Sequence, residues 1–212
     1  MKAAAIPAPA VRRLSLYLRE LESLWRSDQR TVSSKQLGDA LKLTATQIRK
    51  DLAYFGQFGQ PGIGYDVGAL TTKIRRILGT DRTWSVLLVG AGNLGMALSA
   101  YRGFARKGFR LVAVFDQDPA KIGKPLPTIP SLSIQPVQEI ATVVREKDIR
   151  LAIIAVPAEA AQEVSDLLVA AGVRGILNFA PISLHVDPTV AVSAVDLAVH
   201  LEQLSFQVVA NA

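Results

Sequence analysis

The stretch Trp84–Leu98, WSVLLVGAGNLGMAL, passes from strand to turn to helix in fifteen residues. Val86 to Val89 are four consecutive apolar residues that read as a short buried strand, and Met96, Ala97 and Leu98 continue as a helix. Between them Gly90, Ala91, Gly92, Asn93, Leu94 and Gly95 give the spacing GxGxxG. Each glycine has a physical task in a dinucleotide-binding unit: Gly90 makes the tight turn, Gly92 lets a pyrophosphate approach the backbone, and Gly95 lets the helix pack on the strand. The pyrophosphate of such a ligand rests on free N–H groups at the positive end of the helix dipole. The spacing is weak on its own, so the flanking sequence has to support it.

The next elements give that support. The helix is expected to run to about Lys107 and end at Gly108, and Leu111 to Phe115 (LVAVF) form a second apolar strand closed by Asp116. Asp116 stands twenty-one residues beyond Gly95. A carboxylate there accepts hydrogen bonds from both ribose hydroxyls and repels a 2′-phosphate, which favours NAD(H) over NADP(H). The plainer alternative is an Asp that caps the strand and opens the turn Asp116-Gln117-Asp118-Pro119.

Beyond it, Pro125 to Ile134 reads as a proline-punctuated loop and Val137 to Lys147 as a helix. Leu151 to Val156 (LAIIAV) is a buried strand halted by Pro157, Ala158 to Ala171 a helix ended by Gly172, and Gly175 to Phe179 and Val190 to Val195 are further strands. This order indicates an α/β fold with a mostly parallel, doubly wound sheet. Ligands contact such sheets at the C-terminal ends of strands, which points to Val156 and Pro157 and to Asn178, Phe179, Ala180 and Pro181. From Asp196 to Gln207, Leu197, Leu201, Leu204 and Val208 recur at helical spacing. This last helix either covers its own sheet, which the sequence alone favours, or packs on a partner subunit.

The 212 residues hold one large or two small domains, and with no cysteine there is no disulfide scaffold, thiolate metal site or thiol switch. No apolar run approaches a membrane span, and the apolar part of MKAAAIPAPAVRR is too short for a signal peptide, so a soluble cytoplasmic protein is expected. No metal site is expected. The net charge of +6 is unevenly placed: residues 1–82 hold 14 Lys and Arg against 7 Asp and Glu, residues 83–212 hold 10 against 11. The basic excess lies entirely before the nucleotide-binding strand, which suggests a first domain facing a polyanion or, more plainly, an ordinary basic surface.

Within that first part, residues 1–10 are Ala/Pro-rich and expected to be disordered, and Val11, Leu14, Leu18, Leu21 and Trp25 then mark an amphipathic helix. Ser33 with Gln36 makes a capping box opening a helix to about Leu41, and Thr44 with Gln47 makes another opening Ala45 to Phe55. Two short helices joined by a tight turn after a longer one are a helix-turn-helix signature. On a helical wheel Ile48, Leu52 and Phe55 share the inward face, while Thr46, Lys50 and Ala53 point outward, flanked by Arg49 and Gln47. Arg suits guanine, Gln suits adenine, and Lys and Thr suit phosphates; a solvated helix face is the alternative. Gly56 to Tyr65 holds four glycines in its first nine residues, which rules out a helix and suits the hairpin wing of a winged helix. A second phosphate-binding loop is the weaker rival, because the segment follows a helix and no buried strand. Asp66 then caps a helix to Leu78, ended by Gly79.

The run Ile48-Arg49-Lys50-Asp51-Leu52-Ala53-Tyr54-Phe55-Gly56-Gln57-Phe58-Gly59 with Gly62-Ile63-Gly64-Tyr65 resembles the DNA-binding signature of the Rex family, bacterial redox-sensing transcriptional repressors. Val89 to Gly95, Phe115-Asp116 with Lys121-Ile122-Gly123, Ile176 to Pro181 and Asp196-Leu197-Ala198 also look like that family, and the likeness spans about residues 11–207. It implies a homodimer with winged-helix domains over residues 1–82, Rossmann-like NAD(H) domains over 83–195, and C-terminal helices over 196–212 exchanged between subunits. Such proteins bind inverted-repeat operators, are released by NADH, and bind DNA when NAD+ is present. The DNA-binding set so implied is Ser33, Thr44, Thr46, Gln47, Arg49, Lys50, Tyr54, Phe58, Gly59, Gln60, Gly62 and Tyr65. The cofactor set is Gly90, Ala91, Gly92, Asn93, Leu94, Gly95, Asp116, Lys121, Ile122, Val156, Pro157, Asn178, Phe179, Ala180, Pro181 and Leu197. A state-dependent contact set falls by position on Arg19, Tyr101 and Asp196. Pro61 stands where a basic residue is common and Ala53 where Ser is common, which counts against a wing phosphate contact and a hydroxyl contact at those places.

Two other functions compete. An NAD-dependent oxidoreductase needs an acid or base near the nicotinamide, and the chain offers two histidines, His185 in a proline-bounded loop and His200 on the last helix, each better read as surface or structural. A CoA-binding module shares the strand–glycine–helix start but leaves Asp116 and the basic N-terminal part unexplained.

Overall fold

The computed structural model describes residues 6–60 and 62–210, and the chain divides into two compact units, 1–82 and 83–212. The first begins with α1 (Ala8–Arg26). The expectation of disorder through residue 10 fails at its end: Pro9 sits in the first helical turn, where a missing N–H costs nothing, and Ala10 is fully buried. Residues 1–5 of that stretch lie outside the described residues, as does Pro61.

After α1 come β1 (Thr31–Val32), α2 (Ser34–Leu41), α3 (Ala45–Ala53), β2 (Tyr65–Asp66) and α4 (Val67–Ile77). The Ser33 capping box forms in full: Ser33 Oγ accepts from the Gln36 N–H at 3.1 Å and Gln36 Oε1 from the Ser33 N–H at 2.9 Å. At α3 only half of the expected box forms. Thr44 Oγ1 accepts from the Gln47 N–H, but the Gln47 side chain turns along the helix to Asp51 instead. The glycine-rich hairpin is a single bridge between Gln60 and Gly64, and β2 behind it pairs antiparallel with β1, which periodicity had not marked as a strand. Asp66 caps α4, its Oδ1 accepting from the Ala69 N–H at 2.7 Å. Leu14, Tyr17 and Leu21 of α1, Leu37 of α2, Ile48 and Leu52 of α3 and Leu70 and Ile74 of α4 form one core. Burial of each aliphatic side chain is worth roughly 1.5–3 kcal/mol, which holds three short helices that would not form alone.

The second unit is a seven-stranded sheet with its helices. Its elements are β3 (Trp84–Val89), α5 (Asn93–Ser99), α6 (Arg102–Arg106), β4 (Phe109–Asp116), β5 (Pro125–Leu126), β6 (Ile129–Pro136), α7 (Ile140–Glu146), β7 (Leu151–Ile154), α8 (Ala158–Ala171), β8 (Gly175–Asn178), β9 (Ala191–Ala194) and α9 (Leu197–Ala210). The strand order is β5-β6-β4-β3-β7-β8-β9, parallel except for the short β5. β3 is central and the winding reverses beside it, so the crevice at the C-terminal ends of β3 and β7 is where this topology places a ligand.

The second unit departs from the sequence expectations at three places. Pro125 to Ile134 is no loop: β5 and β6 form a hairpin, and only residues 134–136 of β6 join the parallel sheet, leaving Pro127 and Pro130 clear of that ladder. The helix expected to reach Lys107 breaks at Tyr101, whose backbone is extended at ψ 100°. Gly103 weakens helix by about 1 kcal/mol relative to Ala. The Tyr101 ring lies over Gly103, where a side chain would stand, and meets Phe104 edge-on at 5.1 Å. Finally, α9 does not cover its own sheet; all of its described side chains are exposed. The two sheet faces differ accordingly. One packs α7 and α8 against Leu87, Val89, Phe115 and Ile154, while the other has α5, α6 and the β5–β6 hairpin against Val86, Leu88, Val114 and Ile153 and keeps an open apolar groove of about 1390 Å³.

Candidate functional site

In the second unit the expected cofactor residues that end or follow β3, β4, β7 and β8 lie at the C-terminal edge of the sheet, because these strands end in register: Val89 lies beside both Phe115 and Ile154, and Ile154 beside Asn178. The chain leaves β3 at Gly90 with φ +100°, and a Cβ there would lie 2.4 Å from the Ala155 carbonyl oxygen. A Cβ on Gly95 would lie 1.8 Å from the Gly90 carbonyl oxygen, so α5 rests directly on the turn. Gly92, by contrast, faces open space, and α5 begins there without a side-chain cap. The result is a bare helix start with an unobstructed approach, which fits a diphosphate.

Asp116 closes the back of this cradle. Its Oδ2 accepts from the Ala91 N–H at 2.7 Å and from Lys121 Nζ at 3.1 Å, and its Oδ1 from the Asp118 N–H at 2.9 Å. Burial by itself would raise its pKa, but these bonds from Asp118, Ala91 and Lys121 outweigh it and hold the carboxyl below the ordinary value. An ionised acid so placed suits ribose hydroxyls. Asp116 thus anchors its own turn, as the plainer sequence reading has it, and through the Ala91 N–H it borders the cradle. Val156, after β7, and Phe179, after β8, are half-buried, Pro157 and Pro181 are exposed, and Ile122 follows Lys121 in the turn after β4. Asn178 is fully buried and its side chain is committed inward, donating to Ala180 and Ile182 carbonyls and accepting from the Ala180 N–H. It shapes the loop that follows β8. Leu197, at the start of α9, is 59% exposed. Among the described residues no group of three or more His, Asp and Glu is placed to hold a metal, and no helix is long and apolar enough to cross a membrane.

In the first unit, α3 presents Thr46, Arg49, Lys50 and Tyr54 outward, with Gln47 half-buried. Arg49 donates to Ser34 Oγ at 3.0 Å and Thr46 Oγ1 at 3.2 Å, pinning α3 to the start of α2. The Ser33 and Thr44 hydroxyls serve as helix caps. Gly59, Gln60 and Gly62 are exposed, whereas Phe58 packs on the core beneath Lys73 and Tyr65 is buried, its ring lying under Gly59. Tyr65 thus props the wing from below. Of the remaining set, Arg19 is exposed on α1, Tyr101 is 58% exposed at the break between α5 and α6, and Asp196 Oδ1 caps α9 through the Ala198 and Val199 N–H groups.

One functional feature escaped the sequence reading. Asp51, on α3, is 1% exposed and accepts from Arg13 through two bonds of 2.5 and 2.8 Å, from the Tyr17 hydroxyl at 2.6 Å and from Gln47 Nε2 at 2.7 Å. It fixes α3 to α1. The available signal was Arg13 and Tyr17 four residues apart on α1, the spacing of one helix face.

A family model described as a putative DNA-binding protein N-terminus matches residues 5–53, and one described as a CoA binding domain matches residues 81–182. The redox-sensing transcriptional repressor Rex of Carboxydothermus hydrogenoformans is 50% identical over 98% of this chain and 99% of its own. Among solved structures, RSP, a Rex-family repressor, in complex with NAD+ and operator DNA superposes with a TM-score of 0.91 at 36% identity, covering 97% of this chain and 93% of that one. RSP in complex with NADH gives a TM-score of 0.86 at 34% identity, covering 97% and 95%.

Proposed function

The chain belongs to the Rex family of redox-sensing transcriptional repressors, and from that premise we propose a homodimer in the cytoplasm that holds an inverted-repeat operator through α3 and the wing and lets go of it when NADH enters the Gly90–Gly95 cradle. It is a regulator and not an enzyme. The observation that carries the reading is the presence, in one chain, of a cationic helix-turn-helix and an uncapped glycine turn backed by an ionised Asp116. A CoA-binding module accounts for the glycine turn alone and leaves both Asp116 and the cationic helix-turn-helix unused.

The proposed roles follow from placement. Thr46, Gln47, Arg49 and Tyr54 face the major groove, while Lys50, the Ser33 and Thr44 helix starts and Gly59, Gln60 and Gly62 follow phosphates; Phe58 and Tyr65 support them. In the second unit Asp116 and Lys121 meet the ribose end, the α5 start meets the pyrophosphate, and Val156, Phe179 and the partner's Leu197 form an apolar wall that prefers the neutral reduced ring. Exchange of α9 between subunits is supported by Leu197, Leu201, Leu204, Phe206, Val208 and Val209, exposed at 55–76%, beside a sheet face with an open apolar groove. Arg19, Tyr101 and Asp196 are the proposed contacts that change with state. Movement of the paired Rossmann units then takes the two α3 helices off half-sites about 34–36 Å apart.

The test is an operator gel shift titrated with NADH and NAD+ separately. NADH releases the protein and NAD+ does not; equal release by both contradicts the reading. A second expectation concerns Lys50, exposed on α3. Lys50→Ala weakens binding to every operator alike and lowers the slope of log K against log salt by about 0.9, with NADH affinity unchanged, as anisotropy at several salt concentrations will reveal.

A further inference from the structure

A glutamine in the first turn of a recognition helix reads bases well only if its carboxamide is held the right way round, since a flipped amide exchanges donor for acceptor. Gln47 occupies that turn, and its Nε2 donates to Asp51 Oδ1 at 2.7 Å. The other Asp51 oxygen is claimed by Arg13 Nε and by the Tyr17 hydroxyl, while Arg13 Nη2 shares Oδ1. A carboxylate in this setting accepts hydrogen bonds and donates none, so the atom of Gln47 that faces it has to be the nitrogen. Among the described residues Gln47 Oε1 has no hydrogen-bond partner, and it is not sealed from solvent. Among the described residues the second N–H of Nε2 has no partner either.

We infer that Asp51 is a positioning residue for base recognition: held by Arg13 and Tyr17, it fixes the Gln47 carboxamide with one acceptor and one N–H facing outward, the edge complementary to adenine in the major groove. Adenine presents N6–H as donor and N7 as acceptor there, and no other base offers that pair. The inference rests on the reading of α3 as the helix that enters the groove. It adds to that reading a reason for a buried carboxylate on a DNA-binding helix, where a negative charge otherwise opposes the phosphate backbone. Arg13, from α1, neutralises that charge, so orientation is gained without repelling DNA.

A selected operator duplex and its full set of single-base variants in one half-site, measured by anisotropy, separate the possibilities. Selective binding by the wild type is what the repressor reading requires, and failure to discriminate any duplex defeats that reading. Given selective binding, one adenine position is preferred about tenfold over the other bases, and Gln47→Ala flattens that position alone. Asp51→Asn leaves a neutral amide that can face Gln47 with either atom, so the same preference falls to within about twofold of that in Gln47→Ala while preferences elsewhere persist. In the Gln47→Ala background, Asp51→Asn changes no base preference further. Uniform weakening in Asp51→Asn with the adenine preference intact overturns the inference, as does the lack of any Gln47-dependent adenine position. Should Asp51→Asn not fold, the wild type supplies the answer: the Gln47 side-chain amide, assigned by its loss in Gln47→Ala, gives an exchange-protected, downfield-shifted proton in free protein. A random-coil position for that resonance overturns the inference equally.

Discussion

Gly95→Ala is expected to abolish NADH binding and to lower the melting temperature of the second unit sharply. The added methyl would lie 1.8 Å from the Gly90 carbonyl oxygen, a backbone atom in a turn held at φ +100° and packed so close to Ala155 that even a Cβ on Gly90 would not fit, which leaves it little room to yield. Overpacking in interiors typically costs about 1–3 kcal/mol, and a clash of two backbones lies at or above the upper end. Either α5 lifts from the turn or the turn shifts from β7, and both displace the helix start. Gly92→Ala separates fold from site, because a methyl there enters open space. Its unfolding temperature is expected to match the wild type while NADH affinity falls by at least about tenfold, since the methyl occupies the path of the pyrophosphate. Calorimetry with and without NADH on the two variants checks both.

Arg13→Ala is the second large effect. It leaves the Asp51 carboxylate, 1% exposed, with only Tyr17 and Gln47 as partners. Breaking a buried pair by removing one member costs about 3–5 kcal/mol; with two hydrogen bonds surviving and Arg13 itself partly exposed, about 3 kcal/mol is expected. The pH dependence identifies the cause. In the wild type burial alone would raise the Asp51 pKa, but bonds from Arg13, Tyr17 and Gln47 outweigh it and the folded value lies below the ordinary one. That carboxylate contributes stability above its unfolded pKa of about 3.9, and the contribution is lost as pH falls through the folded value. Without Arg13 the sign reverses: burial dominates, the folded pKa rises above the unfolded one, and the penalty is relieved as the group takes up a proton. The difference between variant and wild type, measured by urea unfolding of the first unit, is therefore expected to be largest near neutral pH and to shrink on acidification towards pH 4. A difference independent of pH would assign the loss to packing of the Arg13 stem.

The contrast between these two sites explains what could be read from residues in order. The Gly90–Gly95 turn, the β3 and β4 runs and the Ser33 and Asp66 caps are local, each fixed by a few adjacent residues, and all are found where periodicity places them. Asp51 is different. A wheel drawn on α3 puts it next to the apolar face, and whether it can be buried depends on Arg13, 38 residues earlier in the chain. The β5–β6 hairpin escaped because Pro127 and Pro130 argue against a strand, and only the observed register shows them clear of the parallel ladder. The break at Tyr101 turns on a ring folding back over Gly103, and the exposure of α9 on what the rest of its own unit leaves uncovered. None of these has a periodic signature.

The central claim is that the cradle of the second unit and the helix-turn-helix of the first share one equilibrium. Linkage makes this measurable from the cofactor side: NADH affinity is determined by nicotinamide fluorescence with and without saturating operator duplex. Saturating operator is expected to weaken NADH by the same factor by which NADH weakens operator, in the range of about 5–150-fold typical of such coupling. An NADH affinity unaltered by operator would contradict the account.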